Sequence, residues 1–74
     1  MEIEERVFLL GIYKKKEEET LTDVILILED SGLFSFKEGK KLLKNLKKNG
    51  FVEGESLTFR GVEKAKDIEL EFKI

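Results

Sequence analysis

The chain has 74 residues, 41% of them charged, with 16 acids against 14 bases and a formal charge of −2. That length makes one small domain, residues 1–74, of the size that buries only about 60% of its unfolded surface. Cysteine and histidine are both absent, which excludes disulfides, thiolate sites, the usual general base near neutral pH and the commonest metal ligand.

No acidic loop has the alternating spacing of a calcium site, and the single, scattered glycines form no phosphate-cradling loop. No catalytic residue, metal, cofactor or small-molecule ligand is therefore expected, and the chain reads as a non-enzyme. Its apolar runs are far short of a membrane span, and the acidic start MEIEER is unlike a signal peptide. Both point to a cytoplasmic protein.

In chain order, the first segment places Ile3, Val7 and Leu10 at helical spacing. Phe8, Leu9, Ile12 and Tyr13 broaden that stripe, so a well-buried helix is expected, with partial strand as the alternative. The run Lys14 to Glu19 reads as a solvated helix end or loop. Thr20 and Asp23 then form a capping box with Asp in place of Glu, and Gly32 supplies a stop. Between them the run VILIL is read as core, on a helix of about three turns or on a buried strand.

The third segment begins with the box Ser35–Glu38 and ends at Asn49-Gly50. On a helix turning about 100° per residue, Phe36, Gly39, Leu42, Leu43 and Leu46 share an apolar arc of about 120°. Lys37, Lys41, Lys44 and Lys48 share an arc of about 60° almost opposite, with Lys40 and Lys47 on one flank and Glu38 and Asn45 on the other. Next, FVEGESLTF reads as a small hairpin around Glu53-Gly54-Glu55-Ser56. Thr58 can cap a last helix on which Val62, Ala65, Ile68 and Phe72 recur at helical spacing. Phe51, Leu57 and Phe72 are expected in the core.

Charge is distributed by segment. Residues 1–34 carry −5, residues 35–50 carry +5, and residues 51–74 carry −2. The lysine face is thus a basic stretch between two acidic ones. It reads either as a solvated helix face or as a surface that meets phosphate.

The order of helix, helix, helix, hairpin, helix resembles a winged helix-turn-helix domain. The likeness is clearest from Thr20 to Ala65. There a capped helix, a Gly-containing turn and a lysine-rich helix ending LKKNGFVE precede LTFRGVEKAK, a phrase similar to the LTxxGxxxAxx that follows the wing in many small bacterial regulators. The resemblance implies a mostly α domain with a short β-hairpin (α+β): a three-helix core, a wing and a C-terminal helix. It also implies wing strands in GFVE and SL, a recognition helix from Ser35 to Asn49, and Leu57, Val62 and Ala65 holding the last helix.

In that setting the resemblance implies a small DNA-binding protein with a role in transcriptional regulation. Lys37, Lys40, Lys41, Lys44, Lys48 and Arg60 are the candidate phosphate contacts, and Asn45 the candidate base-edge contact. Departures from the pattern are the wing acids Glu53 and Glu55, the lack of arginine on the third helix and the negative net charge. The alternative is a protein-interaction module, whose lysine face meets an acidic partner or whose first helix pairs two copies into a homodimer.

Overall fold

Helix boundaries follow local chemistry. The structure, a computed structural model, describes residues 1–72; Lys73 and Ile74, the end of the expected last helix, lie outside the described residues. Its elements are α1 (Ile3–Lys14), α2 (Leu21–Asp30), α3 (Phe36–Lys48), β1 (Val52–Glu53), β2 (Ser56–Leu57) and α4 (Phe59–Phe72). This is the expected order, in an α+β winged-helix-like arrangement.

Two reciprocal capping boxes open α2 and α3. Thr20 Oγ1 accepts from the Asp23 N–H at 3.1 Å while Asp23 accepts from the Thr20 N–H at 2.9 Å. Ser35 and Glu38 repeat the pattern at 3.1 and 2.9 Å, satisfying donors that a helix start leaves orphaned. Both helices close the same way at their other ends. Gly32 and Gly50 adopt φ of +87° and +82°, and Leu33 and Phe51 donate back to the carbonyls of Leu28 and Leu46 at 3.0 Å. Each is a Schellman stop, which needs the left-handed conformation glycine adopts freely.

The two strands pair antiparallel, Val52 with Leu57 and Glu53 with Ser56, around the two-residue loop Gly54-Glu55. Gly54 has φ of +60°, and a glycine at the first loop position suits a tight hairpin turn. Thr58 joins the hairpin to α4. Its hydroxyl accepts from the Gly61 N–H at 3.0 Å and donates to the Gly50 carbonyl at 2.6 Å, tying the start of α4 to the end of α3.

The core forms around α1, which packs against α2, α4 and β2. Phe8 and Leu9 are fully buried, and Phe8 meets Phe34 edge to face at 5.6 Å. Leu21, Ile25, Leu46, Ala65 and Ile68 complete the buried centre. Phe51 is buried as expected, while Phe36, Leu42, Leu43 and Leu57 are half-buried at its margin.

Two core assignments from the sequence need correction. The VILIL run is helical, and a helix turns every residue by about 100°, so five consecutive apolar side chains cannot all point inward. Val24 and Ile25 are buried, but Leu26 and Ile27 are 47% and 55% exposed. Phe72, one turn past the buried Ile68, is also largely exposed.

Two ion pairs connect α1 to α4, Arg6 with Glu71 and Lys14 with Glu69. Glu69 and Glu71 of α4 are therefore tied to α1. Hydrogen bonding to Glu69 and its negative charge together raise the Lys14 pKa. Lys14 thus stays charged across the neutral range, and its side of the pairing is lost as pH rises through the raised value.

Candidate nucleic-acid interface

The lysine face of α3 is held at both ends by groups from elsewhere in the chain. At its start, the Phe36 N–H donates to Glu29 Oε2 of α2 at 2.9 Å. That bond satisfies a further orphan donor and ties the start of α3 to α2. At its end are the Gly50 stop and the Thr58 hydroxyl. Along the inner face, Leu46 is fully buried and Gly39 lies against α2. A Cβ at Gly39 would come within 2.7 Å of Ile25 Cγ2 and of Phe34 Cε1, so this position lets α3 approach closely.

On the outer face Lys37, Lys40, Lys41, Lys44, Lys47 and Lys48 are all exposed. Among the described residues, none of the six forms an ion pair. The helix ends suit their charges: Glu38 sits in the first turn, and Lys47 and Lys48 in the last. Backbone and side-chain hydrogen bonds from Ser35 hold the Glu38 carboxyl below the usual carboxylate range.

The two flanks of the lysine face differ. Lys40 Nζ lies 5.8 Å from the Phe36 ring centre, a cation–π contact at the open flank. Lys47 shares that flank by helical geometry and belongs with the candidate set, although the resemblance did not single it out. On the other flank, Lys41 and Asn45 line a cleft with Glu2, Glu4 and Glu38 over a floor of Leu33, Phe34 and Leu42. Asn45 thus stands in acid-rich surroundings. Glu2 and Glu4 lie about forty residues away in the chain, and no local pattern announces them.

Arg60 is exposed on α4 rather than α3. Its guanidinium carbon lies 4.9 Å from the centre of the Phe51 ring, and the group comes near Gly50, just past the end of α3. Both wing acids, Glu53 and Glu55, are exposed, but one of them also has a structural partner. Glu55 Oε1 accepts from the Leu21 N–H at 3.1 Å, so this carboxylate caps the start of α2, where the helix dipole favours a negative charge. Glu53 is exposed on β1.

The structure therefore exposes five sequence-predicted lysines on one helix, sets Asn45 at its acidic edge, and places Arg60 of α4 near Gly50 at its C-terminal end. No protein-family model, curated protein or solved structure matches the chain.

Proposed function

We propose that this chain is a small winged-helix domain that binds double-stranded DNA through the lysine face of α3. One observation carries the reading: the six α3 lysines are unpaired among the described residues, in a chain with 16 acids. A face present only for solubility normally mixes signs, and Arg6 and Lys14 do find carboxylates. Positive charge concentrated on one fixed helix is the electrostatic footprint of phosphate contact.

Lys37, Lys41, Lys44 and Lys48 then span about 17 Å along the helix and contact phosphates, with Lys40 and Lys47 supporting them on the open flank. Lysine acts as a point charge rather than a planar fork, so these contacts position the protein without reading bases. Asn45 has the amide that pairs with adenine, and Glu2, Glu4 and Glu38, which share its cleft with Lys41, make this the less basic flank of the face. The expected binding is dominated by the DNA backbone and discriminates weakly between sequences. No catalytic role, cofactor or effector enters this reading.

Replacing both Lys41 and Lys44 with Glu tests the face directly. Both side chains are exposed, so far-UV circular dichroism should be unchanged. Affinity for a random duplex at low salt should fall at least 100-fold. Unchanged affinity would refute α3 as the docking face. Loss of DNA binding by no variant, because the parent binds none, would favour an acidic protein as the partner.

A further inference from the structure

The two most exposed large apolar side chains among the described residues are Phe59, at 81%, and Leu70, at 68%. Both lie on α4. With Glu63 and Lys66, also exposed, they fall within an arc of about 60° on that helix. The core-facing residues Gly61, Ala65 and Ile68 occupy the opposite side.

The spacing along this outer stripe is four, three, four, the alternation of a helix-pairing seam. The spacing is the same read from either end, while the charges exchange: apolar, acid, base, apolar becomes apolar, base, acid, apolar. Two copies laid antiparallel about a twofold axis would therefore set Phe59 against the partner's Leu70 and Glu63 against the partner's Lys66. The same two contacts recur with the copies exchanged. Such self-complementarity is what an isologous dimer interface requires. A parallel arrangement would instead oppose Glu63 to the partner's Glu63 and Lys66 to the partner's Lys66.

We propose that the outer face of α4 is a homodimer interface, occupied by the same face of a second copy in antiparallel orientation. The charge pattern favours this occupant, because the centre of the stripe is the charge complement of its own reverse. The first helix is less available for pairing, since it gives Phe8, Leu9 and Ile12 to the core. The molecule measures 29 × 26 × 25 Å, so α4 does not project as an arm and pairs only through its side. One helix face buries less than the roughly 1,200 Å² of a standard interface, so the dimer is weak and concentration-dependent. This proposal stands independently of DNA binding.

Sedimentation equilibrium from about 10 μM to 1 mM tests it. The parent chain should show a monomer–dimer equilibrium in that range. Glu63→Lys alone and Lys66→Glu alone each turn two attractive contacts repulsive, and should weaken the dimer about tenfold or more. The double variant exchanges the two charges and should restore parental dimerisation. These positions are exposed, and circular dichroism would verify the fold of each variant. A parent that stays monomeric throughout, or a double variant no better than the singles, would overturn the proposal.

Discussion

At Gly61 a Cβ would lie 2.0 Å from the Phe51 carbonyl oxygen and 3.2 Å from Leu57 Cδ2. The first contact is with backbone, which cannot turn aside as a side chain can. Gly61→Ala should therefore cost about 3 kcal/mol, at the upper end of the overpacking range. Gly39→Ala meets only side-chain atoms of Ile25 and Phe34, and the better helix propensity of alanine offsets part of the strain. Its cost should be about 1–2 kcal/mol. Urea unfolding of both variants checks the order; equal stabilities would mean that α4 shifts away from Phe51 freely. The phrase LTFRG marked Gly61 only by resemblance; its role, close approach to the Phe51 carbonyl, depends on packing that the phrase does not disclose. The role of Glu55 was not legible either, because its partner, the Leu21 N–H, is 34 residues away in the chain.

Among the elements, α3 depends most on its cap. The Glu38 carboxyl is held below its usual pKa by its bonds to Ser35. A group whose folded pKa is depressed stabilises the fold above its unfolded value, about 4.3 for Glu. That contribution fades as pH falls through the folded value. Glu38→Ala should thus lower Tm at pH 7, and the gap from the parent should narrow below about pH 4. A gap independent of pH would show that the carboxylate is not the stabilising group.

These caps and glycine stops are why the element order could be read from sequence. Ser-x-x-Glu and Asn-Gly act within four residues, so no tertiary knowledge is needed to recognise them. Burial was less legible. The pattern showed that the VILIL helix has an inner face, but only packing decides that Leu26 and Ile27 fall outside it. For α4 the inner stripe held through Ile68, while Phe72 extends past the core.

Over the whole molecule, segment charges of −5, +5 and −2 become a spatial arrangement that the sequence does not disclose. The chain folds the acidic start of α1 against one edge of the basic helix, at Lys41 and Asn45. It also brings Glu55 of the wing, an exposed residue, to the Leu21 N–H at the start of α2. The lysine face was therefore legible as a unit, but its acidic boundary was not. A Debye length of about 8 Å at physiological ionic strength confines these fields to near neighbours. Net charge is thus a poor guide to whether this molecule meets a polyanion, and local charge on α3 is the relevant quantity.

The central claim, that α3 binds DNA by neutralising phosphates, is tested most directly by anisotropy of a labelled random duplex across salt concentrations. Contacts to four to six phosphates should release counterions and give a slope of about −4 to −5 for log affinity against log salt. Absence of binding at low salt, or affinity independent of salt, would contradict the claim.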